Sequence, residues 1–203
     1  MDKLICNKVK IFNPEECEKI INDFELNSNH IKISTEHGVN RISSYEIDFK
    51  YFSDNIKELI NNKINDVLLP ITGGKKNMIF GVRYSLDTKS YMLPHYDCNS
   101  YSCVIELNKD FKGGGTHFPI QNLIVNSNEI GEGILFRGDT IKSYHAANPI
   151  SEGVRYVLVI RTENKNILHL LLRTLLLSVV DKFFIKFLPK LHKNYSMDPS
   201  YKK

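Results

Sequence analysis

Between Met78 and Thr162 the chain falls into short apolar runs with no helical stretch between them, and this limits the fold more than any other feature. The runs are MIFGVRYSL (78–86), YMLPHYD (91–97), YSCVIELN (101–108), GTHFPI (115–120), LIVNS (123–127), GILFRG (133–138), KSYHAAN (142–148) and RYVLVIRT (155–162). Glycine, asparagine, aspartate and proline break them at short intervals. Eight short strands punctuated in this way predict a sandwich or barrel of jelly-roll type.

The residues before this region read differently. In FNPEECEKIINDF (12–24), Asn13 can cap a helix, Pro14 suits its first position and Glu16 lies three residues after the cap. Ile20, Ile21 and Phe24 then form an apolar face. Residues 27–44 are polar and read as loop with short extended pieces. In DNIKELINNKINDVLLPITGG (54–74), Ile56, Leu59, Ile60, Ile64, Val67 and Leu68 share one side of a second helix, which Pro70 and the glycine pair end. The predicted class is α+β, mostly β: a double-stranded β-helix (jelly-roll) core over 76–164 with supporting helices in 1–75. At 203 residues the chain is long enough for one sizeable core, here placed in a single domain over 1–164.

Residues 165–203 form a separate, basic tail. They hold eight Lys or Arg (165, 173, 182, 186, 190, 193, 202, 203) against Asp181 and Asp198, a balance of +6 within a total of +4. Residues 1–164 therefore carry −2, which argues against a nucleic-acid partner for the body. Arg173, Asp181, Lys182 and Lys186 interrupt the apolar stretch 167–193, so it reads as an amphipathic helix and not as a membrane span. It is expected to pack on the barrel, to form a dimer contact, or to lie on an anionic membrane surface as a peripheral element. Cys6, Cys17, Cys98 and Cys103 form no paired framework and are expected as free thiols. The first residues lack a long apolar segment, and the expected location is the cytoplasm.

His95 and Asp97 stand two apart in a strand and so face the same way. Alone, HxD is a weak motif. It is followed by a glycine turn into a strand, FKGGGTHF (111–118), by His145 within GEGILFRGDTIKSYHAAN (131–148), and by Arg155 ten residues later on an apolar strand. Two histidines and a carboxylate are the donor set of non-haem Fe(II) oxygenases, which leaves coordination positions open. An arginine on a buried strand calls for an anion, and its planar fork matches a carboxylate.

On these stretches, together with RYSLDTKSYMLPHYD, CVIELNKDFKGGGTHF and GVRY, residues 78–162 resemble the Fe(II)/2-oxoglutarate dioxygenase superfamily, in its prolyl 4-hydroxylase and procollagen lysyl hydroxylase branch. The resemblance implies His95, Asp97 and His145 as iron ligands. It implies Arg155 as the binder of the 5-carboxylate of 2-oxoglutarate and Tyr84 as a wall of that pocket. It implies Fe(II), 2-oxoglutarate and O₂ as cofactor and co-substrates, with ascorbate as an accessory. The implied reaction is hydroxylation of a prolyl or lysyl residue in a peptide or protein, with succinate and CO₂ released. Loops such as 30–45 and 84–94 are where substrate choice is expected. Glu106 departs from the pattern, since some prolyl hydroxylases carry a tyrosine there. Arg155 and Arg161, six apart on one strand face, superficially resemble the arginine pair of AlkB-like demethylases, but the asparagine expected between them is absent from YVLVI.

Each residue also has a plainer reading. His95 and Asp97 can be a surface pair, His145 a turn histidine, Arg155 an edge-strand ion-pair partner and Tyr84 a core aromatic. His30, His37, His117, His169 and His192 show no ligand spacing. The rival functions are a non-catalytic jelly-roll binding module and a dioxygenase acting on a small molecule or nucleic acid.

Overall fold

The computed structural model describes residues 6–35, 42–97 and 99–164, and beyond them 172, 175, 176 and 179. Strand β1 (Cys6–Lys10) leads into helix α1 (Pro14–Leu26). The Asn13 side chain accepts from the Glu16 amide at 2.9 Å, and the Glu16 carboxylate accepts from the Asn13 amide at 2.8 Å, a reciprocal capping box with Pro14 in the first turn. A hairpin follows, β2 (Lys32–Thr35) and β3 (Ile42–Asp48). Helix α2 (Asp54–Lys63) continues through a π-helical stretch, Ile64–Leu68, into α3 (Leu69–Thr72).

The 54–74 segment is therefore helical as expected, but not one uniform helix. Pro70 lacks an N–H and its ring crowds the carbonyl four residues back, so an α-helix breaks there. The wider π turn just ahead of it takes up that mismatch. Gly73, at φ +61°, closes the segment in the left-handed conformation.

The remaining strands are β4 (Lys75–Ser85), β5 (Met92–His95), β6 (Tyr101–Glu106), β7 (Phe111–Gly113), β8 (Thr116–Phe118), β9 (Leu123–Val125), β10 (Glu132–Arg137), β11 (His145–Ala147) and β12 (Ile150–Glu163). The major sheet runs β1-β10-β6-β12-β4-β3-β2, with β7 also paired to β12. The minor sheet runs β5-β11-β8-β9. Every pairing is antiparallel. Residues 1–75 are expected to hold supporting helices with short extended pieces over 27–44. They also supply β1, β2 and β3, which extend the major sheet on both sides. β1 has largely polar exposed positions and so gives little strand pattern in sequence.

The strand pleat divides the core in two. On β12, Tyr156, Leu158 and Ile160 pack towards the helices with Cys17, Ile20, Phe24 and Ile60. Val157 and Val159 face the minor sheet with Phe80, Val82 and Tyr84 of β4. Gly81 lies where the helix meets β4. A Cβ there would stand 2.8 Å from the Phe24 ring, so the glycine lets the aromatic ring settle on the sheet. Phe24 also meets Tyr156 edge-on at 5.7 Å. Asp23 ties α1 to the start of α2 by accepting from the Ser53 amide at 2.8 Å.

Cys6, Cys17 and Cys103 are buried free thiols, and burial pushes Cys17 and Cys103 up to about 12. Cys98, most of the tail and residues 36–41 lie outside the described residues, as do His37, His169 and His192. Leu172, Leu175, Leu176 and Val179 are helical and 60–66% exposed, at the spacing of one helix face. Among the described residues no helix is long and apolar enough to cross a membrane.

Candidate metal centre

The LPHYD segment forms β5 at the edge of the minor sheet, where Pro94 is tolerated because an edge strand can spare an N–H. His95 ends the strand and Asp97 follows two residues on, projecting to the same side. The second histidine arrives from β11. His145 pairs directly with His95 across the strands, and the two rings lie 4.5 Å apart. Donor atoms of His95, Asp97 and His145 all fall within 4.8 Å of one another. The His95 Nε2 is 3.4 Å from one Asp97 oxygen and the His145 Nε2 is 3.5 Å from the other.

The far side of each ring fixes its tautomer. The His95 Nδ1 bonds the Leu93 carbonyl at 2.8 Å and the His145 Nδ1 bonds the Ser143 carbonyl at 2.9 Å. A carbonyl oxygen only accepts, so each Nδ1 carries a proton and each ring turns its Nε2 towards the shared space. Burial pushes His145 down to about 4 against the opposing pull of Asp97, so that ring is neutral at neutral pH. Phe136 and Phe118 pack around it, with centroids 4.6 and 6.2 Å away.

Asp97 is held from behind. Its side chain is 2% exposed. Ser102 Oγ donates to one oxygen and Arg161 Nη2 donates to the other. Burial alone would raise this carboxyl. The Arg161 guanidinium, together with the His145 and His95 rings, outweighs it and holds the group well below the usual carboxylate range. Arg161 Nε is buried without a hydrogen-bond partner.

A cavity extends from this cluster between the sheets. His95, Asp97, His145 and Arg161 line one end and Arg155 and Tyr84 the other, with Phe80, Met92, Val104 and Val159 among the apolar walls. Arg155, Val157, Val159 and Arg161 alternate along β12, so one face of one strand supplies both arginines and the floor between them. Arg155 is 1% exposed. Its guanidinium lies 5.4 Å from the Tyr84 ring centre and 5.9 Å from that of Phe111. A Cβ on Gly114, at φ +74°, would press 3.2 Å from the Arg155 stem, so the glycine turn leaves room for the arginine.

The five residues singled out in sequence thus line one cavity. Arg155 also has an anion within the protein: its Nε donates to Glu106 Oε1 at 2.7 Å and its Nη2 to Oε2 at 3.4 Å, with both side chains 2% exposed. Sequence reasoning marked Glu106 only as a departure and left Arg161 and Ser102 without a role. The parity of β12 points to Arg161, which lies an even number of residues beyond Arg155. For Ser102 no sequence pattern existed. Of the other histidines, His117 is buried in β8 and His30 stacks on Tyr51 at 4.3 Å, both outside the cluster.

No protein-family model matches the chain. Its sequence is similar to procollagen lysyl hydroxylases. It is 31% identical over 115 residues to the procollagen lysyl hydroxylase and glycosyltransferase of Acanthamoeba polyphaga mimivirus, covering 55% of this chain and 12% of that protein. It is 30% identical over 120 residues to the multifunctional procollagen lysine hydroxylase and glycosyltransferase of Caenorhabditis elegans, covering 57% and 16%. Over 91 residues it is 32% identical to procollagen-lysine,2-oxoglutarate 5-dioxygenase 1 of Mus musculus, covering 43% and 12%. The chain therefore spans less than a fifth of the length of these relatives. In fold it is similar to a viral collagen prolyl hydroxylase from Paramecium Bursaria Chlorella virus-1 solved with 2-oxoglutarate. The TM-score is 0.59 at 16% identity, covering 81% of this chain and 98% of that one. A Pseudomonas putida prolyl-4-hydroxylase gives 0.53 at 11%, covering 80% and 94%. The fold is the double-stranded β-helix of the prolyl hydroxylases.

Proposed function

We propose that the chain is an Fe(II)- and 2-oxoglutarate-dependent dioxygenase that hydroxylates a prolyl or lysyl residue of a peptide or protein. The observation that carries this reading is the convergence of two Nε2 atoms on one buried carboxylate, with both Nδ1 atoms tied back to carbonyls. Two imidazole nitrogens and a carboxylate gathered around one buried point fit a divalent cation. His95, Asp97 and His145 would hold it, and three donors on one side leave room for co-substrate and O₂. The peptide substrate rests on the names of the relatives.

Bound there, iron with 2-oxoglutarate and O₂ supplies the oxidation of a C–H bond to C–OH, while the oxo acid is split into succinate and CO₂. The chain's own residues position the reactants. Arg155 offers its remaining donors to the distal end of the oxo acid, above the Tyr84 ring. Ser102 and Arg161 fix the orientation of Asp97. Phe80, Val104 and Val159 exclude water from the space between the two ends.

The test is anaerobic titration of the protein with Fe(II) and then 2-oxoglutarate, following the visible charge-transfer band, with His145→Ala and Arg155→Ala alongside. A band that disappears in His145→Ala and needs far more 2-oxoglutarate in Arg155→Ala is expected. A folded protein that takes up no iron would refute the enzyme reading and leave a binding module on an oxygenase-like barrel. Where the band forms, peptides containing proline or lysine, assayed with ascorbate present, identify the substrate through coupled succinate release.

A further inference from the structure

The distal end of the cavity is built on an ion pair that closes on itself. Arg155 and Glu106 lie on neighbouring strands, where Val157 pairs with Glu106 in register and Arg155 is two residues away on the same face. Glu106 takes the side edge of the guanidinium, Nε and Nη2. Arg155 lines the cavity, and Glu106 holds one edge of its guanidinium. No other charged group bonds the pair among the described residues. Lys109 lies near enough to feel both charges, but donates to the Ser127 carbonyl at 2.8 Å.

The charges are therefore unevenly shared along the cavity. At one end Arg161 offsets Asp97, so a divalent metal would keep its full charge. At the other end Glu106 offsets Arg155 within the pair. A ligand carboxylate on the free edge of Arg155 would meet the guanidinium at about 4 Å and the Glu106 carboxylate at about 7 Å. At an effective dielectric of about 20 the repulsion then cancels roughly half of the attraction, weakening a carboxylate by on the order of fiftyfold. The free N–H donors remain, and an uncharged carbonyl oxygen can accept from them without the repulsion.

We propose that Glu106 is the specificity-determining residue for the oxo acid. It lowers the advantage of a second carboxylate, so that the cavity takes 2-oxo acids with an uncharged acceptor at the tail as well as 2-oxoglutarate. This rests on the functional reading above and departs from it only in which oxo acids are accepted. The chemistry is unchanged, since any such acid loses CO₂ and is converted to the carboxylic acid one carbon shorter.

The experiment compares 2-oxoglutarate with 2,5-dioxohexanoate, in which a methyl ketone replaces the distal carboxylate. Affinities are read anaerobically from the charge-transfer band of the Fe(II) protein, in the wild type and in Glu106→Gln. The wild type is expected to prefer 2-oxoglutarate by tens-fold at most. In Glu106→Gln, 2-oxoglutarate should bind on the order of fiftyfold tighter and the ketone within about threefold of its wild-type value. A glutamate that only braces Arg155 would give the opposite, a loss for both acids in the variant, and would overturn the proposal. So would an unchanged ratio. If the variant does not fold, the wild type decides alone: a preference above about a thousandfold refutes the proposal. Bands with both acids and an unmoved ratio refute it while leaving the dioxygenase reading intact, whereas no band with either acid refutes both.

Discussion

Replacing Arg161 by glutamine should destabilise the metal-free protein and leave the metal-loaded protein nearly unaffected. Asp97 is 2% exposed at its side chain, and its oxygens are engaged by Ser102 and Arg161. Removing one partner of a buried ion pair costs about 3–5 kcal/mol, because the other charge is left without compensation. Two features reduce that figure. The Arg161 side chain is 19% exposed, so solvent already screens part of the pair. Its buried Nε lacks a partner, and the substitution removes a penalty of about 1 kcal/mol. The expected net cost is about 2 kcal/mol, or a Tm lower by about 4–8 °C for a domain of this size. A divalent cation on the triad supplies positive charge to the same carboxylate, so it should recover most of the difference. Thermal melts of both proteins with and without Co(II), with Arg161→Lys as the charge-retaining control, measure this directly. An unchanged Tm without metal, or a gap that widens when metal is added, would show that Arg161 is not the counter-charge of Asp97.

Three further outcomes can be checked separately. Ser102→Ala removes the other donor to Asp97 and should weaken Co(II) binding by about 10- to 100-fold in a competition titration, with far-UV circular dichroism unchanged. Asn13→Ala removes the cap of α1 and should cost about 1 kcal/mol in urea unfolding, with no effect on metal affinity. Gly81→Ala places a methyl 2.8 Å from the Phe24 ring and should cost about 1–3 kcal/mol by overpacking, part of which Phe24→Leu in the same chain relieves.

Much of this arrangement was legible in the chain before any coordinates. The capping box around Asn13 is local, and local signals survive folding unchanged. The short runs from Met78 to Thr162 have the strand period and strand lengths, so the two-sheet core follows from them. His95, Asp97 and His145 could be grouped because the chemistry of a metal demands that combination. The unread parts depend on contacts between distant segments. β1 finds its place only by pairing with β10, more than a hundred residues later. The π turn before Pro70 arises from a steric conflict that apolar periodicity does not record. The burial of Arg155 implied an anion but not its source, because nothing in the sequence shows Glu106 across a strand pairing 49 residues away.

The pleat of β12 has a consequence for how reliably the sheet assembles. Were that strand to pair one residue out of step, Arg155 and Arg161 would turn into the helix-facing core among Ile20, Phe24 and Ile60, and Leu158 and Ile160 would enter the polar cavity. Two guanidinium groups would then be stripped of water among apolar side chains, while Glu106 and Asp97 would lose their partners. Competing strand registers are thus excluded by the same side chains that shape the cavity. The charged residues between the sheets specify a unique pairing for β12, the longest strand among the described residues.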